Sequence, residues 1–398
     1  MLEFAVVGGG LCGLAIAHGL QARGRDWCLF EARERLGGRV LTARARNGTP
    51  VDLGATWFWP PNQPNITRLV ADLGLASLTQ IDDGCLLHLS DPNQPPQTVA
   101  LSGQQAPDSD ASTAATSEAV HGGARRVVGG TGAVIQALAR PLPSERLRLG
   151  QRLVAVIDRG DHVELHLRRR DEADSTSFSD IVLTRRLVLA LPPRVLDATV
   201  SFEPELPAAT RQAMVATATW MACAAKAGFV YPHAFWRDNG HTGNAWVSHR
   251  QAMLGQVFDA CGPIAEQADA RQGAALAGFA AIRAALRPGF ALSRDLLLLS
   301  QMVQLFGPQA DDAAHPPELF WHDWATEPET CSPADLADDG RGAGAHPHYG
   351  DPALSLPLWG GRVFLAGTET ASQGGGYLEG ALVAAARVRR QLAALNDA

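Results

Sequence analysis

No apolar run in this chain approaches the roughly 20 residues that a membrane-spanning helix needs. Positive charge is also short, 34 Lys and Arg against 41 Asp and Glu. The net charge of -7 and a pI near 5.9 argue against nucleic acid as a major partner. Cysteine is sparse and scattered. The six residues Cys12, Cys28, Cys85, Cys223, Cys261 and Cys331 contain no C-x-x-C pair. Neither a zinc site nor a disulfide framework is indicated, and reduced, mostly buried thiols are expected. The first strand starts almost at Met1, which leaves no room for a secretory or twin-arginine leader, so a cytoplasmic protein is expected. Global disorder is excluded by 46% hydrophobic and only 19% charged residues. The 398 residues allow roughly two or three domains.

What is present is concentrated first in Met1–Arg39. An apolar strand, Phe4-Ala5-Val6-Val7, runs into Gly8-Gly9-Gly10-Leu11-Cys12-Gly13 and then a helical pattern over Leu11–Ala22. Gly8 permits the tight turn out of the strand, Gly10 lets backbone approach a pyrophosphate, and Gly13 lets the helix pack on the strand. The phosphates would sit at the helix N-terminus. Trp27–Phe30 reads as the second parallel strand, and Glu31 at its end can accept hydrogen bonds from ribose hydroxyls. This much predicts a dinucleotide site and leaves NAD and FAD equally open. The turn Gly37-Gly38 ahead of Arg39, just beyond the ribose carboxylate, would bring a guanidinium onto the pyrophosphate.

Further along, Asn65–Leu75 is predicted as a surface helix. Asp91–Arg126, with Pro92, Pro95, Pro96 and a Ser/Thr/Gln-rich run, is expected to be loop. Arg152–Ile157, Val163–Leu167 and Leu187–Leu191 read as strands, as do the segments about Trp246, Gln256 and Ala274–Ala280. Ser293–Phe306 reads as a helix. Lys226 stands inside an apolar stretch, where an ammonium is costly unless it finds partners or lowers its pKa. A strand-edge lysine that snorkels to water is the local alternative. His315 and His322 near Asp323 match no ligand spacing, so two surface histidines and no metal are expected.

Glu31-Ala32-Arg33-Glu34-Arg35-Leu36-Gly37-Gly38-Arg39 resembles the second FAD fingerprint of the flavin amine oxidase family, which includes monoamine and polyamine oxidases. Asp52-Leu53-Gly54-Ala55-Thr56-Trp57 resembles that family's flavin-side "D-x-G-[GA]-x-[WY]" stretch. Lys226 through Phe235-Trp236-Arg237 is similar to its "K-x-x-x-x-[YF]-x-x-x-F-W-R". Phe364-Leu365-Ala366-Gly367-Thr368-Glu369-Thr370 with Gly376-Tyr377-Leu378-Glu379-Gly380 is similar to its C-terminal block. The resemblance spans most of the chain, with gaps near Leu89–His121, where the family's helical roof would be reduced, and at Ala325–Gly342.

The resemblance implies an α/β fold: a Rossmann-like FAD-binding domain of glutathione-reductase type, discontinuous in sequence (1–78, 127–199, 338–398). A substrate domain with a mixed sheet flanked by helices (79–126, 200–337) would complete it. It implies that Gly8, Gly10, Gly13, Glu31, Arg33, Gly38, Arg39, Gly54, Ala55, Thr56, Val154, Trp324, Gly367, Glu369, Tyr377 and Leu378 hold FAD. Ala345 stands where monoamine oxidases carry their flavin-tethering cysteine, so the flavin would be non-covalent. Lys226 would hold a water at flavin N5, while Tyr377 and His346 would form the two walls of the family's aromatic cage. Trp57, Trp246 and Gln256 would face the substrate.

The implied activity is oxidation of a small amine to an imine and then a carbonyl compound, with dioxygen reduced to hydrogen peroxide. The amine would enter between Tyr377, His346 and Trp57. One alternative keeps the flavin and desaturates or isomerises a bulky non-amine substrate, against which an oxygen-activating lysine argues. Another is a flavin-binding protein without turnover. A bare NAD-binding module leaves Arg39 and the C-terminal block unexplained. A monomer and a homo-oligomer are both open.

Overall fold

Strand Leu2–Val7 is fully buried from Phe4 onward, as its unbroken apolar run requires of a strand covered on both faces. In the computed structural model, which describes residues 1–81, 84–101, 122–169, 180–262, 273–340 and 346–395, it lies inside an eight-stranded sheet. Trp27–Phe30 pairs with it in parallel on one side and Asp180–Leu189 on the other. Beyond Asp180–Leu189 come the antiparallel strands Val163–Arg169 and Gln151–Asp158, and then Ser201–Glu203. Val363–Leu365 takes over one edge of Asp180–Leu189 at Leu187–Leu189, in parallel.

Successive side chains of a strand point to opposite faces, and the sheet's two cores follow that alternation. Phe4, Val6, Val188 and Phe364 pack on helices Leu11–Gln21 and Leu378–Ala394, whereas Ala5, Val7, Leu187 and Leu189 pack with Leu165, Leu196 and Met214. Glu379, in the first turn of Leu378–Ala394, accepts hydrogen bonds from the Asn65 and Ile66 amides at 3.0 Å each. One carboxylate thus caps helix Pro64–Asp72 from a second helix.

The second sheet has seven strands. Its order is Glu318–Asp323, Ala225–Tyr231, Ala274–Ala280, Leu254–Asp259, Ala245–Val247, Gly84–Leu89 and Gln97–Leu101. It is mixed, since Gly84–Leu89 runs parallel to Ala245–Val247. Helix Arg294–Phe306 covers it with Leu298, Met302, Leu305 and Phe306. Gln301 fastens that helix through its Oε1 to the Met253 and Leu254 amides at 2.7 and 3.0 Å.

The observed class is the expected one, α/β with a Rossmann-like cofactor sheet and a second sheet beside it. Two local expectations fail. Gln97–Leu101, expected as loop, is an edge strand paired with Gly84–Leu89, because a hairpin partner supplies what its composition lacks. His322 is not a surface histidine. It is half-buried, with its ring 4.4 Å from that of Trp324, and burial lowers its pKa. His315 is exposed, as expected, and faces Asp312. Residues 102–121, the core of the expected roof gap, and Ala345 lie outside the described residues.

Candidate active site

A single elongated cavity of about 1140 Å³ runs from the glycine turn of the first sheet to Lys226 in the second. That exceeds the roughly 300–1,000 Å³ typical of one drug-sized ligand. At its first end Gly8 has φ +106°, a backbone angle that disfavours L side chains, and an added Cβ would lie 2.4 Å from the Ala190 carbonyl oxygen. A Cβ on Gly13 would lie 1.9 Å from the Gly8 carbonyl oxygen, so the helix can approach the strand only as glycine. At Gly10 the nearest atoms to an added Cβ are 3.9 Å away, and that position is open to the cavity. Gly10 is also the N-cap and provides no side-chain acceptor, which leaves first-turn amides free for an anion.

Glu31 is buried. Its Oε2 accepts from the Gly9 amide at 2.7 Å and its Oε1 from the Arg33 amide at 2.9 Å. A carboxylate has about four acceptor sites, so two stay available for hydroxyls. Arg33 also lines the cavity, but its guanidinium is already engaged by Glu327 and Thr330 at 2.8 and 2.7 Å.

Midway along, Glu369 is completely buried. Its Oε1 lies 2.6 Å from Arg39 Nη2, and its Oε2 has no hydrogen-bond partner among the described residues. Arg39 also donates to the Trp220 carbonyl at 3.2 Å. The cavity therefore offers first-turn amides, acceptors for hydroxyls and the guanidinium of Arg39, a set that fits a dinucleotide with a polyhydroxyl chain.

Lys226 sits on strand Ala225–Tyr231, 2% exposed, and lines the far end. Its Nζ donates to the Gly54 carbonyl at 2.8 Å, the Asp52 carbonyl at 3.3 Å and the Thr56 hydroxyl. Rings of Phe279, Phe258 and Trp57 stand 4.6, 5.4 and 5.5 Å from the ammonium. Burial lowers its pKa to about 7, against the pull of nearby Asp52. The Asp52 carboxyl is itself raised by burial, while Thr42 and Thr131 hydrogen-bond to it. The snorkelling alternative is thereby excluded.

A second group of aromatic rings lines the same cavity. Trp59 meets Tyr377 edge-on at 6.1 Å, and Trp220 stands 4.6 Å from His346 and 6.4 Å from Tyr377. His346 and Tyr377 stack face to face, 4.8 Å between centroids and 4° between planes. His346 Nδ1 is 2.9 Å from the Pro347 carbonyl, which can only accept, so that nitrogen carries the hydrogen.

Residues 109–392 match the family of flavin-containing amine oxidoreductases, and residues 6–73 match the NAD(P)-binding Rossmann-like domain. The chain belongs to the flavin-containing amine oxidoreductase family. Across 98% of its length it is 25% identical to amine oxidase [flavin-containing] A of Sus scrofa, covering 85% of that protein. In fold it resembles wild-type putrescine oxidase bound to putrescine, with TM-score 0.73, 18% identity and 99% of each chain covered. It likewise resembles cyclohexylamine oxidase from Brevibacterium oxydans, with TM-score 0.75, 19% identity and 99% of each chain covered. As a member of this family it is a flavin-dependent oxidoreductase whose cofactor is FAD.

Of the positions that the family resemblance indicated, Gly8, Gly10, Glu31, Arg33, Gly38, Arg39, Gly54, Ala55 and Thr56 all line the cavity. So do Trp57, Lys226, Gln256, Trp324, His346, Gly367, Glu369, Tyr377 and Leu378. Three do not. Gly13 lies beneath the turn. Val154 sits at a β-bulge, its carbonyl accepting from Ser201, and Arg152 and Leu153 face the cavity instead. Trp246 pairs with Gln256 across two strands, but only Gln256 reaches the lining.

The expected entry of an amine between Tyr377 and His346 is also corrected. A group held between parallel rings needs about 7 Å, two carbon contact distances, and these rings are 4.8 Å apart. Trp59 and Trp220 belong to none of the motifs in the sequence. Trp220 lies in an irregular segment without periodicity, and six residues ahead of Lys226 is its sole local signal. Among the described residues no group of three or more His, Cys, Asp and Glu is placed to hold a metal, and no helix is long and apolar enough to cross a membrane.

Proposed function

We propose that this protein is an FAD-dependent oxidase of a primary or secondary amine, which yields an imine that hydrolyses to a carbonyl compound and delivers the electrons to dioxygen as hydrogen peroxide. The observation that carries the reading is the buried Lys226, near neutral in pKa, in the wall of the same cavity that the glycine turn and the rings of Trp59, Trp220 and Tyr377 line. FAD, bound without a covalent link, supplies the two-electron acceptor. Every other contribution comes from the chain.

The first-turn amide of Cys12, with Arg39, would hold the pyrophosphate, while Glu31 would take the ribose hydroxyls and Oε2 of Glu369 a hydroxyl of the ribityl chain. Gly54 and Thr56 fix Nζ of Lys226. With its pKa brought down to about 7, the group can present positive charge to developing negative charge on oxygen and hold or release a proton. Tyr377, Trp59 and Trp220 face the amine, exclude water and favour its neutral form. His346 backs Tyr377 and fixes its plane, a positioning role.

The relatives' names, a monoamine-type oxidase, a putrescine oxidase and a cyclohexylamine oxidase, support amines as the substrate class. The test mixes the FAD-loaded protein with a panel of aryl, alkyl and cyclic amines, first without oxygen and then with it. Bleaching of the flavin absorbance followed by stoichiometric peroxide is the expected result. Flavin that no amine bleaches refutes the reading.

A further inference from the structure

Cys223 and Cys331 are 108 residues apart in sequence, and their sulfurs are 3.7 Å apart. Both are free thiols. Each sits directly behind the cavity wall: Trp220, Met221 and Ala224 line it on one side, and Glu329 and Thr330 on the other. We propose that Cys223 and Cys331 are a modification site, a dithiol that a hydroperoxide oxidises to a disulfide and that joins these two walls.

The segments carrying the thiols are pinned independently, which is what holds the sulfurs in register. Asp335 accepts from the Thr219 amide through Oδ1 at 3.0 Å and closes a capping box with Ser332 through Oδ2. Arg287 donates to the Cys223 carbonyl at 2.6 Å while it pairs with Asp323. The two thiols differ in kind. Cys223 is partly exposed, with its sulfur 3.3 Å from the Asp335 carbonyl; the hydrogen bond it shares with Cys331 lowers its pKa against burial and the charges of Asp339 and Asp335. Cys331 is buried, and its donated hydrogen bond and burial push its pKa up. The difference in exposure marks Cys223 as the sulfur that a peroxide reaches first and Cys331 as the resolving one.

In the first step the Cys223 thiolate attacks the peroxide. An S–O bond forms, the O–O bond breaks, and hydroxide leaves as water after taking a proton. In the second step the Cys331 sulfur attacks Cys223. The S–S bond forms, the S–O bond breaks, and the departing hydroxide takes the Cys331 proton as water. Two thiols lose two electrons, and one peroxide becomes two waters. Joining needs the sulfurs to close from 3.7 Å to about 2.05 Å. Amine turnover as proposed above would generate the oxidant within the cavity itself, and to that extent the inference rests on that reading.

The test supplies hydrogen peroxide as a reagent, so its outcome is independent of whether amines are substrates. The FAD-loaded protein is treated with a few equivalents, alkylated and digested without reductant. The expected result is a peptide pair joined through Cys223 and Cys331, two fewer alkylatable thiols, and reversal by dithiothreitol. In Cys331→Ser the expected product is a dimedone adduct on Cys223, and in Cys223→Ser no adduct at Cys331. Wild-type protein in which both thiols stay alkylatable, or in which Cys223 is trapped as a sulfenic acid that never pairs, overturns the proposal.

Discussion

Replacing Lys226 by Met separates the electrostatics of the site from its shape, since the two side chains are of similar length. In the folded protein the amine titrates near 7, against 10.5 for an unhindered lysine. Between those pH values the unfolded chain binds more protons, so native stability rises with pH across the window and is lowest below pH 7. A displacement of this size costs about 5 kcal/mol in full, at 1.36 kcal/mol per pH unit, and from pH 6 to pH 9 about 2.5 kcal/mol of it is recovered. Lys226→Met has no such group, so the stability gap between variant and wild type should narrow or reverse by about that amount over the same range. Urea unfolding followed by tryptophan fluorescence at pH 6, 7.5 and 9 measures it, with both proteins loaded with FAD. A gap that stays flat with pH would show that the amine is not buried and near neutral as described. The same variant should bleach normally with an amine and reoxidise more slowly in air, and reoxidation at the wild-type rate would remove Lys226 from the oxygen half of the proposed reaction.

Gly13→Ala puts a methyl 1.9 Å from the Gly8 carbonyl oxygen, a backbone clash that no rotamer relieves, and should abolish both cofactor retention and soluble yield. Glu31→Gln keeps the shape but offers a donor where two amides and the ribose hydroxyls seek an acceptor. FAD affinity should fall by about 10- to 100-fold, as hydrogen bonds to charged groups of about 1.5–3 kcal/mol are lost, read by equilibrium titration of flavin fluorescence. Trp220→Ala opens the aromatic wall and should raise KM for aryl amines by about tenfold, on the scale of about 0.5–1.5 kcal/mol per ring pair. An unchanged KM would place the amine elsewhere.

The cofactor half of the fold was legible because its signals are local. Phe4–Val7, the glycine turn and Glu31 lie within one βαβ unit, where strand, turn and helix each announce themselves by composition and period. Lys226 was conspicuous as one charge in an apolar strand, yet its partners, the carbonyls of Asp52 and Gly54, are visible only once the strand folds over them. The misses share that cause. Gln97–Leu101 becomes a strand through its neighbour, Trp220 reaches the chamber through tertiary packing, and the bulge at Val154 moves the cavity lining by a residue. The spacing of the His346–Tyr377 stack belongs to the packing of both rings against Trp220 and Gly376, and no motif encodes it.

The placement of Val363–Leu365 on Asp180–Leu189 has a consequence for how the protein is made. The glycine turn is synthesised long before Glu369 and the helix Leu378–Ala394 that complete the cavity. Until that helix is made, the Leu2–Val7 strand and the apolar face of Leu11–Gln21 lack the partner they pack on. FAD can be gripped along its whole length only once that helix has formed, so a supply of free cofactor at that late stage, rather than when the glycine turn first folds, would govern how much of the chain reaches its loaded form.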